Sequence, residues 1–133
     1  MNIFIFDLDG TLADSSKREQ FPKIYDQNFQ KSVLNDLPIS KNIKKIKKIT
    51  KQKILILTGR KSLLRSVTKI WLKKNGIKYH YIIMRPKSCN KSNTNFKLDI
   101  IKKIKKKFKI IKIFDDNQEF IKKVKSINII FET

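Results

Sequence analysis

Asp7 and Asp9 follow the apolar run Ile3-Phe4-Ile5-Phe6 and precede Gly10 and Thr11, so two carboxylates stand where a buried strand ends and a glycine turn begins. Side chains two apart in extended chain point to the same side, and glycine lets the backbone turn tightly or approach a ligand closely. One carboxylate of such a pair can attack phosphorus or hold a metal while its neighbour moves protons. A charged strand end with a turn has the same outline, but the five-residue string Asp7-Leu8-Asp9-Gly10-Thr11 is more specific than a lone Asp-x-Asp.

Three further groups share this character. Ile54-Leu55-Ile56-Leu57 runs into Thr58-Gly59-Arg60, Lys97 opens a segment of helical period, and Ile110-Ile111-Lys112-Ile113-Phe114 runs into Asp115-Asp116. In this order the four motifs resemble the haloacid dehalogenase-like (HAD) phosphohydrolases over nearly the whole chain. The resemblance implies a magnesium-dependent phosphomonoesterase in which Asp7 attacks phosphorus to form an aspartyl-phosphate. Asp9 then protonates the leaving group and later deprotonates water, so it must enter protonated; carboxylates nearby push its pKa up while magnesium and Lys97 pull it down. Thr58 and Lys97 would bind phosphoryl oxygens. Asp7, the backbone carbonyl of Asp9 and Asp116 would hold Mg²⁺, with Asp115 acting through water, a hard oxygen set suited to that ion.

The elements that must position these residues are legible as short apolar runs at 2–6, 53–57, 79–83, 110–114 and 128–131. Near-continuous runs of this length suit parallel strands buried on both faces. Between them, 62–75 places Leu64, Val67, Ile70 and Trp71 on one helical face, with Ser62 as N-cap and Gly76 as C′ stop. Segments 95–108 and 117–127 have similar faces, while 17–31 and 41–51 read as short helices interrupted near Pro22 and Pro38. Strands alternating with helices predict a three-layer α/β/α sandwich on a parallel Rossmann-like sheet, with the acidic motifs at the carboxyl edge where such sheets bind ligands.

At 133 residues the chain is expected to form one domain, 1–133, with a single core. Asp7 and Asp9 interrupt the first apolar run before a signal sequence could form, and no run reaches membrane-spanning length, which predicts a soluble, cytoplasmic protein without a membrane partner. The single Cys89 excludes an intramolecular disulfide and a thiolate metal site, and His80 is expected at the edge of a buried strand. The formal charge of +21 draws the protein toward polyanions such as nucleic acid, although a Lys- and Ile-rich composition bias produces the same excess. Against that background the four arginines, Arg18, Arg60, Arg65 and Arg85, and three glycines carry more information.

The intervals Thr11 to Lys53 and Thr58 to Lys97 leave no room for a large cap domain, so the site should be open to a bulky substrate. Leu57-Thr58-Gly59-Arg60, Val67-Thr68-Lys69-Ile70-Trp71-Leu72, Asn75-Gly76-Ile77 and Met84-Arg85-Pro86, with Arg18, resemble the phosphatase domain of phage-type polynucleotide kinase/3′-phosphatases. That resemblance implies Arg18, Gly59, Arg60 and Arg85 as substrate-binding residues and nucleic-acid ends as substrate, in repair alongside a separate kinase or ligase. The acid that family places one turn before the lysine is Asn93 here, which leaves open what supports Lys97. No G-x-x-x-x-G-K-[ST] string exists, so kinase activity is not expected. A small-nucleotide phosphatase of 5′(3′)-nucleotidase type is the enzyme alternative; a basic nucleic-acid-binding module on an inactive scaffold is the other.

Overall fold

In the computed structural model, which describes residues 1–20, 27–127 and 129–133, the apolar runs become a five-stranded sheet. Its strands are β1 (Asn2–Phe6), β4 (Lys53–Lys61), β5 (Tyr81–Arg85), β6 (Lys109–Phe114) and β7 (Phe131–Glu132), all parallel, in the order β5-β4-β1-β6-β7. A two-stranded antiparallel ribbon of β2 (Ala13–Asp14) and β3 (Leu37–Pro38) lies outside it. The helices are α1 (Gln27–Leu34), α2 (Ser40–Lys47), α3 (Arg65–Lys74), α4 (Asn93–Ile104) and α5 (Gln118–Lys125).

Alternation along the strands builds the layers. Phe6, Ile54 and Ile56 pack with Ile43 and Ile46 of α2 and Trp71 and Leu72 of α3, whereas Ile3, Ile5, Leu55 and Leu57 pack with Phe96 and Ile101 of α4 and Phe120 and Val124 of α5. Each face of the sheet is therefore covered by helices, the expected three-layer arrangement. The rings of Phe6 and Phe114 stack with centroids 4.1 Å apart and lock β1 to β6. The chain places β4 and β5 on one side of β1 and β6 and β7 on the other, so the strand order reverses at β1, where ligands of open α/β sheets bind. Among the described residues no cap domain is present, and no helix is long and apolar enough to cross a membrane.

Several expectations need correction. The strand expected at 53–57 continues to Lys61, because Gly59 and Arg60 form an irregularity in the pairing with β5 rather than a turn. The strand expected at 79–83 starts at Tyr81, which leaves His80 exposed; its Nδ1 accepts a hydrogen bond from the Ile54 N–H at 3.0 Å. The last strand is only Phe131–Glu132, and Asn128 lies outside the described residues.

Ser62 opens a short 3₁₀ turn and makes no cap, and Ile70 is 56% exposed, because one residue before Trp71 is about 100° around the helix from it. Gly76 does end α3: at φ +68° its N–H reaches the Lys73 carbonyl while the Ile77 N–H reaches that of Leu72. Helix α4 starts at Asn93 on a Ser92 cap and stops at Ile104, short of the expected 108. In place of helices over 17–31 and 41–51 stand a 3₁₀ turn at Ser16–Gln20, α1 and α2; Pro22 lies outside the described residues and Pro38 sits in β3.

Candidate active site

The carboxyl edge of the sheet carries the chemistry. Beyond β1 the Asp7 N–H donates to the Phe114 carbonyl at 2.9 Å, and beyond β6 the Asp115 N–H donates to the Glu132 carbonyl at 3.0 Å, so strand-like bonding continues and sets Asp7 beside Asp115. The N–H groups of Thr11, Leu12 and Ala13 all converge on the Leu8 carbonyl, a tight turn through Gly10 at φ +84°. A side chain at Gly10 would meet strain and also collide with Asp116, whose Oδ2 lies 2.2 Å from where its Cβ would stand.

Lys97, fully buried on α4, reaches Asp7 Oδ1 at 3.1 Å and Asp115 Oδ2 at 2.8 Å. Its support therefore comes from these two carboxylates, not from residue 93. Burial alone would lower the Lys97 ammonium, but the charges and hydrogen bonds of Asp7 and Asp115 outweigh it and raise it. Burial pushes the Asp7 carboxyl up to about 8; Lys97 works against this, and the charges of Asp115 and Asp9 add to it.

One carboxylate oxygen from each of Asp7, Asp115 and Asp116 lies within 4.8 Å of the others. Asp115 is already committed, to Lys97 through Oδ2 and to the Asn117 N–H through Oδ1, whereas Asp116 is exposed. Among the described residues, three clustered carboxylates stand against a single ammonium with oxygen donors alone, which fits a hard divalent cation such as Mg²⁺.

Asp9 faces a second group of charges. Arg60 donates from Nη2 to Asp9 Oδ1 at 2.8 Å and from Nε to Oδ2 at 3.0 Å, and Arg18 Nη2 donates to Oδ1 at 3.0 Å. Burial would raise the Asp9 carboxyl, but the bonds and charge of Arg60, joined by the charge of Arg18, hold it below the usual carboxylate range. Both guanidiniums also bind Asp36, Arg18 through Nε at 2.8 Å and Arg60 through Nη2 at 3.0 Å. The two arginines and two aspartates thus close a ring.

Asp36 is the residue that sequence reasoning missed. It lies buried between α1 and β3, its carbonyl accepts the Trp71 Nε1–H at 2.9 Å, and the Arg60 Nη1–H is held by Thr68 Oγ1 at 3.1 Å. Its only sequence signal is rarity, as one of 11 acidic residues. Asp36→Ala removes one of the two carboxylates that the nearly buried guanidiniums share and leaves Asp9 alone to balance both, a defect of about 3 kcal/mol. The melting temperature is expected to fall by about 10 °C, measured by circular dichroism.

Thr58 is buried on β4, and its Oγ1 accepts the Arg60 N–H at 3.1 Å, leaving the hydroxyl proton for another acceptor. The pairing irregularity turns both Thr58 and Arg60 toward the same pocket. Gly59 lets Asn93 approach: a Cβ there would stand 2.0 Å from Asn93 Oδ1. Arg85 also reaches this pocket, of about 300 Å³, with its Nε buried and lacking a hydrogen-bond partner among the described residues. The pocket brings together Asp7, Asp9, Thr58, Arg60, Arg85 and Asp116, with Arg18 and Gly59 on its wall; Lys97 and Asp115 lie behind Asp7.

No curated protein matches the chain. Among solved structures, a chain of a Pnkp1/Rnl/Hen1 RNA repair complex superposes with a TM-score of 0.81 at 21% identity over 99% of this chain. A chain of a second Pnkp1/Rnl/Hen1 complex gives 0.80 at 22% over 99%. This chain spans 42% and 45% of those chains, respectively. Residues 1–131 match the family model of the polynucleotide kinase PNKP phosphatase domain, and the chain therefore belongs to that family of HAD phosphatase domains.

Proposed function

We propose that residues 1–133 act as one Mg²⁺-dependent phosphomonoesterase unit that removes terminal 3′-phosphates from nucleic acid in repair. The observation that carries this reading is that Asp7, backed by the buried ammonium of Lys97, and the arginine-held Asp9 face one open pocket. Asp7, Asp116 and the backbone carbonyl of Asp9 would hold the magnesium, with Asp115 acting through water. When bound, the ion would neutralise charge on the phosphoryl oxygens and on Asp7.

The chain's own groups perform the transfer. A carboxylate oxygen of Asp7 attacks phosphorus in line with the bond to the 3′-oxygen, that bond breaks, and Asp9, having taken a proton from solvent once the phosphate draws its arginines away, gives that proton to the departing alkoxide. Asp9 then takes a proton from water as the water attacks the aspartyl-phosphate, which restores Asp7 and frees phosphate. Thr58 and Arg85 donate to phosphoryl oxygens during both steps, and Lys97 supplies positive charge from behind Asp7. The arginine ring links binding to protonation, because a phosphate that draws Arg18 or Arg60 away from Asp9 removes the bonds that keep its carboxyl ionised.

The absence of a cap among the described residues and the charge of +21 favour a polynucleotide end over a small metabolite. The likeness to a chain of an RNA repair complex supports a place beside a ligase and other repair partners. Phosphate release from a 3′-phosphorylated oligonucleotide, from its 5′-phosphorylated isomer and from mononucleotides in Mg²⁺ tests the reading. The 3′-phosphorylated oligonucleotide is expected to give the highest kcat/KM, by about tenfold or more; a preference for mononucleotides would make the chain a nucleotidase.

A further inference from the structure

A second concave surface lies at the opposite edge of the sheet, where the strands begin. Two adjoining clefts of about 820 and 380 Å³ share the segment Gly76–Tyr79 as a common wall. Ile46, Ile49, Ile54 and Ile77 line the larger cleft, and Lys47, Lys69, Lys73 and Lys78 are exposed around the pair. Among the described residues no carboxylate lines either cleft. The positive φ of Gly76 brings the chain back under Lys47, whose Nζ lies 3.4 Å from where a Cβ would stand.

Two planar side chains face this cationic surface, Tyr79 and His80. His80 is fixed to the start of β4 through both backbone and ring: its backbone N–H donates to the Ile54 carbonyl at 2.9 Å, and its Nδ1 accepts the Ile54 N–H at 3.0 Å. Aromatic rings among lysines, beside an apolar floor, are what a flexible single strand uses, with bases stacking on the rings and phosphates meeting the ammoniums. An acidic peptide would satisfy the lysines but make no use of the rings.

We infer that this cleft binds the single-stranded part of the polynucleotide whose end occupies the catalytic pocket, an inference that rests on the polynucleotide reading above. Ile54 and Thr58 are four residues apart on β4, about 13 Å at the rise of a strand. Single-strand sites cover about 4–16 nucleotides. A strand of about 20 nucleotides therefore covers both surfaces, whereas a trinucleotide is shorter than one such site.

The test measures fluorescence anisotropy of a labelled, 3′-phosphorylated 20-nucleotide single strand and of a trinucleotide, in EDTA, so that binding is read without turnover. Lys47→Glu/Lys78→Glu is compared with Lys106→Glu/Lys107→Glu, an equal charge reversal on exposed lysines after α4. The cleft variant is expected to weaken the 20-nucleotide strand about tenfold and to flatten the slope of log affinity against log salt by about 1.4, while the control changes it less than about threefold. Trinucleotide affinity is expected to be the same in the cleft variant and wild type.

Equal losses in both double variants would reduce the effect to overall charge and overturn the inference, as would an unchanged affinity in the cleft variant. Displacement by poly-glutamate as effective as displacement by an unlabelled strand of matched charge would assign the cleft to an acidic peptide instead. Phosphate release is assayed separately in Mg²⁺. Cleft-dependent binding without any release would leave the cleft standing and overturn the phosphatase reading; release without cleft dependence would do the reverse.

Discussion

Asp7→Asn is expected to lower turnover of a 3′-phosphorylated oligonucleotide by about 10⁴-fold or more while leaving the protein at least as stable as wild type in EDTA. The activity loss follows from removing the attacking oxygen, a change no neighbouring group replaces, and losses of this size accompany removal of a nucleophile. The stability follows from the surroundings of Asp7. Its carboxyl is buried with Asp115 and Asp9 close by, and Lys97, whose ammonium is bound to it, is shared with Asp115. A neutral amide of the same shape removes that repulsion. Parallel measurements of kcat and of the thermal midpoint check this: wild-type turnover would exclude Asp7 as nucleophile, and a lower midpoint in EDTA would contradict the electrostatic account.

Lys97→Met has the opposite signature. It removes the ammonium that touches Asp7 and Asp115 and leaves these two carboxylates buried around an apolar stem, with the exposed Asp116 beside them. Breaking a buried pair on one side costs about 3–5 kcal/mol, so the midpoint in EDTA should fall by about 10–20 °C. Turnover should fall by about 10²–10³-fold, the usual loss for one group that stabilises developing charge. Excess Mg²⁺ is expected to recover part of the stability, because a cation among the same carboxylates replaces the missing charge. A variant that melts with wild type in EDTA would show that Lys97 does not carry the charge balance of the site.

The sheet and its acidic edge are legible in the chain because each strand is a short apolar run that ends directly in a polar residue. Asp7, Thr58 and Asp115 are located by that local contrast alone. Asp36 is not, since it sits in the loop Asn35-Asp36 between α1 and β3, and its importance arises only when β4 and the segment around Arg18 fold against it. The arginines show the same limit. Their types and positions mark them as functional, but their present partners, Asp9 and Asp36, lie 9 to 51 residues away along the chain.

Gly59 misleads for a different reason. A glycine after an apolar run reads as a strand stop, whereas here it continues β4 and clears space for Asn93. His80 misleads because the ring between Tyr79 and Tyr81 reads as strand, while the turn that closes α3 at Gly76 delays β5 to Tyr81.

The central claim is that phosphate passes through Asp7. Wild-type protein mixed with an oligonucleotide bearing a radiolabelled 3′-phosphate and Mg²⁺, then quenched in acid within one turnover, measures it directly. The account predicts label on the protein that hydroxylamine removes, that maps to the peptide containing Asp7 and that is missing from Asp7→Asn. Label appearing only as free phosphate at every time within that turnover, with none on the chain, would contradict it.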